Sequence, residues 1–97
     1  MDDKITESKL DRYFKISREA YDAAVSAPMA GKVSAFSDER QDFLDMVKRY
    51  MDDALHFREK GDFVNAFAAL SYAHGWLDAG ARLGLWDVHD SRLFTVD

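Results

Sequence analysis

The segment from Gly61 to Trp86, GDFVNAFAALSYAHGWLDAGARLGLW, constrains the fold more than any other part of the chain. Most of its residues are apolar or small, and it contains no proline. A helix at the surface of a globular protein needs only one apolar stripe. A helix that is apolar on nearly every side must be buried against more than one neighbour. We therefore expect this segment to be the helix that contacts the rest of a small all-α protein.

Two apolar faces can be drawn on the predicted helix. The first face holds Phe63, Ala66, Phe67, Leu70, His74, Leu77 and Ala81, and the second holds Ala69, Tyr72, Trp76 and Leu83. Two such faces suit a helix that touches two others within one chain. They suit an interface between two copies of the chain equally well, and the pattern leaves both open.

The periodicity of apolar residues predicts three helices, near residues 7–27, 38–60 and 63–83. The only proline, Pro28, lies in the break between the first two, where it bars continuation of the first helix. We expect residues 1–97 to form a single helical domain, an up-down-up three-helix bundle. Residues 85–97 are expected to form an extended tail, with its apolar residues Leu93, Phe94 and Val96 packed into a groove.

Local signals mark the predicted helix ends. Candidate N-caps are Thr6 for the first helix, Ser37 or Asp38 for the second and Asp62 for the third, and Asp38 with Gln41 fits a variant of the capping box. Candidate C-terminal glycines are Gly61 and Gly84. Because Gly61 and Asp62 are adjacent, the second and third helices should form a tight hairpin. Leu85 and Trp86 are expected to make a hydrophobic contact just beyond the last helix.

Composition and charge exclude several classes of function. The chain has a formal net charge of -5, and its basic residues are scattered singly among carboxylates, unlike the clustered cations that replace phosphate counterions in nucleic-acid-binding proteins. We therefore expect no nucleic-acid partner. An acidic surface also disfavours anionic membranes, and Asp78 and Arg82 interrupt the longest apolar run, so we expect no membrane partner.

Cysteine is absent from the sequence, which excludes disulfides, thiolate catalysis and cysteine-ligated zinc. The charged amino-terminal residues lack the apolar core of a signal peptide. A cytoplasmic location is the expectation that follows.

Two groups of residues could carry chemistry. His74 could serve as a base or ligand, but it shares a face with Phe67 and Leu70, which favours a packed histidine. Asp87, His89 and Asp90 could contribute ligands to a divalent metal, but neighbouring residues in a tail do not converge by themselves. We therefore predict no catalytic residue, no metal site and no cofactor, and the sequence favours a non-enzymatic function over an enzyme.

The third helix carries a family resemblance. The pattern K-G-D-x-x-x-A followed by L-S-Y-A-x-G-W-L-D-A-G-x-R-x-G is matched by Lys60, Gly61, Asp62, Ala66, Leu70, Ser71, Tyr72, Ala73, Gly75, Trp76, Leu77, Asp78, Ala79, Gly80, Arg82 and Gly84. In this the chain resembles the archaeal domain-of-unknown-function family 357. The resemblance implies a short three-helix bundle of an archaeal cytosolic protein, and it implies no catalytic residues.

One line of the predicted helix is not apolar. It runs through Ser71, Gly75, Asp78 and Arg82, and Tyr72 and Trp76 border it on one side. Asp78 and Arg82 have the i, i+4 spacing of a surface ion pair. A small-residue groove beside aromatic rings could receive a helix, a peptide or a small ligand. The alternative is close packing within the bundle, with the glycines admitting a neighbour's backbone.

These residues define the candidate site, Ser71, Tyr72, Gly75, Trp76, Asp78 and Arg82. The function expected from them is a non-enzymatic protein-interaction or scaffolding module, with a homo-oligomer or a protein partner bound through the third helix. The second hypothesis is a small-molecule or nucleotide-binding domain that uses Tyr72, Trp76, Asp78 and Arg82.

Overall fold

A computed structural model of the chain describes residues 4–95. Three α-helices account for most of them, α1 (Glu7–Ser26), α2 (Ser37–Glu59) and α3 (Phe63–Leu83), and a short 3-10 helix (Gly31–Val33) lies between α1 and α2. Each predicted helix is present, with ends within one residue of the predicted ends at all six positions. The all-α three-helix fold predicted from the sequence is confirmed.

Most of the predicted caps are also confirmed. The Thr6 side chain accepts a hydrogen bond from Lys9 N, and the Asp62 side chain accepts one from Asn65 N. Gly61 and Gly84 have φ angles of 76° and 85°, a region that a residue with a Cβ atom rarely enters. Glycine at both positions therefore lets the chain leave α2 and α3 abruptly, as the tight α2–α3 hairpin requires.

The predicted N-cap of α2 is wrong. Neither Ser37 nor Asp38 caps the helix, because the helix already begins at Ser37, and Phe36 occupies the cap position without a side-chain hydrogen bond. The preceding 3-10 turn sets this start, since Phe36 N donates to Val33 O and so leads directly into the helix. Gln41 does not complete a capping box, because its side chain donates to Asp45 Oδ1 instead.

The hydrophobic core lies where α3 packs against α1 and α2. Its largest fully buried side chains are Trp86, Leu10, Leu77 and Val47. Alanines with no exposed surface separate these large residues along the helices, namely Ala20, Ala24, Ala54, Ala66 and Ala73. Small side chains at the contact allow two helix axes to approach closely. The helices can therefore form a dense core even though the chain is short.

The chain beyond α3 folds back onto the other elements. Its first residues pair with the α1–α2 connection, through Ala30 N to Gly84 O and Asp87 N to Pro28 O, both at 2.8 Å. Leu85 and Trp86 are buried, as predicted, and so are Leu93 and Phe94. The described part of the predicted tail contains no strand, and residues 91–93 form a turn; Val96 lies outside the described residues.

Gly80 explains how Trp86 fits beneath α3. The Trp86 indole lies against the helix at this point, and a Cβ atom on Gly80 would stand only 2.0 Å from its Cζ2 atom. The indole Nε1 donates to Leu77 O at 2.9 Å. Glycine is therefore the residue that lets a buried tryptophan both touch α3 and satisfy its polar atom.

Within residues 4–95, none of the helices combines the length and the apolar character that crossing a membrane requires.

Candidate functional site on the exposed face of α3

The two apolar faces of α3 have different surroundings. The first face lies against the core, whereas the second is covered only in part, because Ala69 is buried while Tyr72 and Leu83 remain 64% and 53% exposed. The exposed residues follow one another along the helix at intervals of three or four. This surface, which we call the outer face of α3, consists of Val64, Ala68, Ser71, Tyr72, Gly75, Ala79, Arg82 and Leu83.

Small residues form the middle of the outer face. Ser71, Gly75 and Ala79 are spaced four apart and are all exposed, and a Cβ atom on Gly75 would find no other atom within 4 Å. Packing inside the bundle therefore does not explain Gly75, although it does explain Gly80. With Ala68, Tyr72 and Trp76, the three small residues line a shallow depression of about 610 Å³.

Aromatic pairs with α2 fix one edge of this depression. The Tyr72 ring stacks on Tyr50, with centroids 5.2 Å apart and an interplanar angle of 17°. The Trp76 ring meets Phe43 edge to face, at a centroid distance of 4.9 Å. Such pairs add to the stabilisation that apolar burial provides. The side chains that flank the small residues are therefore held in place by α2.

The structure brings four of the six predicted site residues together. Ser71, Tyr72, Gly75 and Trp76 line the same depression, whereas Asp78 and Arg82 do not. Asp78 instead lines a second groove, on the side of α3 that faces α1, together with His74, Arg92 and the same Ser71 and Gly75. Ser71 and Gly75 therefore lie between the two surfaces, with Tyr72 and Trp76 on one and Asp78 on the other.

The expected ion pair between Asp78 and Arg82 is not formed. Asp78 Oδ1 accepts a hydrogen bond from Thr95 N at 2.8 Å and lies 3.7 Å from His74 Nε2. Asp78 therefore anchors the chain that follows α3. The Arg82 side chain is exposed and makes no hydrogen bond or ion pair with any residue between 4 and 95.

The second groove is closed at one end by an ion pair from the tail. Arg92 Nη2 donates to Glu19 Oε2 at 2.8 Å, and it lies 3.6 Å from Asp90 Oδ2. The hydrogen bond to Glu19 and the charges of both carboxylates raise the pKa of Arg92. Since the guanidinium is exposed, solvent screens the pair, which joins the tail to α1 without creating a reactive centre.

Each of the two candidate histidines lies beside one carboxylate. His74 is half-buried beside Asp78. His89 Nε2 lies 2.9 Å from Asp87 Oδ1, and both side chains are largely exposed. Within residues 4–95 no three acidic, histidine or cysteine side chains converge as metal ligands do.

Several residues of the outer face were not predicted as site residues. Val64, Ala68 and Ala79 extend it toward both ends of α3, and Val64 is 68% exposed. Their spacing from Tyr72 and Gly75 was a usable signal, because residues three or four apart share one side of a helix. The sequence pattern could not show which side the other two helices would leave uncovered.

The sequence model of one protein family, described as "Protein of unknown function (DUF357)", matches residues 12–86. The match extends from the first turns of α1 to Trp86 and so includes all three helices and the whole outer face. No curated protein and no solved structure matches the chain.

Proposed function

Since the chain belongs to the DUF357 family of proteins of unknown function, we propose its function from its own surface: it is a non-enzymatic protein-interaction module that assembles through the outer face of α3. The occupant of that face is a second copy of the chain. The observation that carries the proposal is that one exposed face of α3 is apolar or small from Val64 to Ala79, with Leu83 beyond and Arg82 as its one charged residue.

The exposure of this face needs a physical reason. Singly scattered apolar residues are normal on protein surfaces, but contiguous apolar surface marks interaction sites. Val64, Tyr72 and Leu83 are each more than half exposed, and small residues join them along one side of one helix. Covering them with another apolar surface would release the water that they now order.

A helix is the partner surface that fits this face. Ser71, Gly75 and Ala79 present little beyond backbone, so a second helix could approach near the lower end of the usual 8–10 Å interaxial range. Small residues spaced four apart support close helix packing in membranes for the same geometric reason. The rigid Tyr72 and Trp76 rings would then flank the approaching helix.

An antiparallel second copy of α3 matches the face residue by residue. When the two helices cross between Ala73 and His74, Val64 lies opposite the partner's Leu83, and Ala68 lies opposite the partner's Ala79. Tyr72 then lies over the partner's Gly75, so a large side chain meets the smallest one. Antiparallel helix dipoles are also favourable, and such a two-fold contact closes as a dimer.

Charge supports the same orientation. Arg82 has no partner among the described residues and lies at the carboxyl end of the face. In the antiparallel arrangement it would approach the first turn of the partner's α3, where the Asp62 carboxylate accepts hydrogen bonds from Asn65. A parallel arrangement would instead bring the two Arg82 side chains together.

The hypothesis of a small-molecule or nucleotide site on α3 stays a prediction with less support. None of the residues that line the depression is charged, and Asp78 is engaged by the tail. A nucleotide needs cationic or backbone donors for its phosphates. The geometry of the outer face therefore favours a helix over a nucleotide.

Sedimentation equilibrium of two matched variants tests the proposal. Ala68→Glu places a carboxylate within the proposed interface, whereas Ala35→Glu makes the same change at an exposed position outside α3. Since an unpaired buried charge is strongly unfavourable, Ala68→Glu should raise the dimer dissociation constant at least about tenfold. Ala35→Glu should leave it unchanged. A wild-type chain that stays monomeric at millimolar concentration, or two variants that behave alike, would contradict the proposal.

A further inference from the structure

A groove between α1 and α2 has an apolar floor and a cationic rim. Its volume is about 370 Å³, and no residue of α3 lines it. Phe14 and Tyr21 from α1 and Met51 and Leu55 from α2 provide the apolar surface. Leu55 is 48% exposed, so the floor is open to solvent.

The groove exists because α1 and α2 are not closely packed on each other. Both pack chiefly against α3, and the direct contact between α1 and α2 is slight. The gap is bounded on α1 by residues 14–21 and on α2 by residues 48–55. Each stretch is about 10 Å long at the rise of an α-helix, so the groove is the size of a small molecule.

Three cations line the groove and have no partner among the described residues. Lys15 and Arg18 project from α1 and Lys48 from α2, and none of these three side chains forms a hydrogen bond or an ion pair within residues 4–95. Asp52 is the one carboxylate in the lining. The groove is therefore locally cationic in a chain whose formal net charge is -5.

We propose that this groove binds a small amphiphilic anion, an alkyl or aryl group that carries a phosphate or a carboxylate. The apolar part would lie on Phe14, Tyr21 and Met51, which removes it from water. The anionic group would lie at the rim, where charge-assisted hydrogen bonds from Lys15, Arg18 and Lys48 can reach it. Ligand sites of this size commonly combine an apolar lining with a few charged groups.

This site is independent of the proposed dimer. The outer face belongs to α3, and the groove is built from α1 and α2 alone. Binding of the anion should therefore be unaffected by Ala68→Glu, and self-association should be unaffected by changes at the groove.

Calorimetric titration of the full chain with octyl phosphate and with octanoate tests the proposal. Octanol, which has only the alkyl chain, and inorganic phosphate, which has only the anionic group, serve as half-ligands. Both amphiphilic anions should bind more tightly than either half-ligand, and the tighter of the two identifies the headgroup. The triple variant Lys15→Gln/Arg18→Gln/Lys48→Gln should weaken binding about tenfold or more, because three charge-assisted contacts are lost.

A matched triple variant controls for overall charge. Lys32→Gln, Arg49→Gln and Lys60→Gln also remove two lysines and one arginine, all exposed and outside the groove, and binding should stay within about twofold because long-range charge is screened by salt. Equal weakening by both triple variants overturns the proposal. So does octanol binding as tightly as octyl phosphate, or the absence of binding by both anions.

Discussion

Two glycines of α3, Gly75 and Gly80, lie in opposite surroundings. Gly80 is buried under the Trp86 indole, where an added Cβ atom would lie 2.0 Å from the ring. Gly75 is exposed on the outer face, where the same atom would meet nothing within 4 Å. Local helix propensity disfavours both residues equally. Their surroundings therefore decide what each contributes.

The effects of alanine at these two positions should have opposite signs. Gly75→Ala should raise the free energy of unfolding of the monomer by about 1 kcal/mol, because alanine is the better helix former and nothing obstructs its methyl group. Gly80→Ala should lower it by roughly 1–3 kcal/mol, because the Trp86 ring must move. Urea unfolding at a concentration where the protein is monomeric measures both values. A higher free energy of unfolding for Gly80→Ala would contradict the described packing of Trp86, and a lower one for Gly75→Ala would contradict the open surroundings of Gly75.

Among the elements, Arg40 joins three parts of the chain that are distant in sequence. From the first turns of α2 its guanidinium donates to Ala24 O and Val25 O at the end of α1 and to Leu85 O beyond α3. Carbonyls at the end of an α-helix have no partner within the helix. Arg40 therefore caps α1 and at the same time holds the segment that carries Trp86.

Replacing Arg40 should loosen this junction. Arg40→Met keeps much of the side-chain length but removes three hydrogen bonds, and it should lower the free energy of unfolding by roughly 2–3 kcal/mol. Arg49→Met makes the same change at an exposed position of the same helix and should have an effect within about 0.5 kcal/mol. Chemical denaturation of both variants measures the difference, and equal effects would show that Arg40 does not connect the elements.

The contrast between Arg40 and the helix caps shows what the sequence could predict. Thr6, Asp62 and Gly84 act on backbone groups a few residues away, so their roles were readable from the local pattern. Arg40 acts across 45 residues to Leu85 O, and no local pattern encodes such a contact. The N-cap of α2 was missed for a related reason, because the 3-10 turn before the helix leads directly into it and leaves Phe36 at the cap position.

The candidate site could also be predicted only as far as local spacing determines it. Periodicity placed Ser71, Tyr72, Gly75 and Trp76 near one another, and the structure places them around one depression. Periodicity could not show that the tail would engage Asp78 through a hydrogen bond from Thr95 N. Which side of α3 remains uncovered also depends on where α1 and α2 pack, and that is a property of the folded chain.

For the molecule as a whole, α3 belongs to both the core and the surface. One side of it supplies Ala66, Leu70 and Leu77 to the core, and the other side exposes Val64, Tyr72 and Leu83. Helix α3 therefore has more apolar residues than the core of one chain buries. In the proposed dimer a second copy covers the remainder, with the two α3 helices antiparallel.

Disulfide trapping in the assembled protein tests the antiparallel dimer most directly. The natural chain has no cysteine, so Ala68→Cys and Ala79→Cys each introduce a single thiol. Antiparallel packing places position 68 of one copy opposite position 79 of the other, whereas two identical positions are about 16 Å apart along the helices. A disulfide requires Cα atoms within about 7 Å.

Oxidation of an equimolar mixture of the two variants should therefore give disulfide-linked heterodimers, while each variant alone should stay largely uncross-linked. If one variant carries a tag, the masses of the cross-linked products distinguish heterodimers from homodimers. Efficient cross-linking of each variant to itself would indicate parallel packing and contradict the antiparallel dimer. The absence of any cross-link in the mixture would also contradict it.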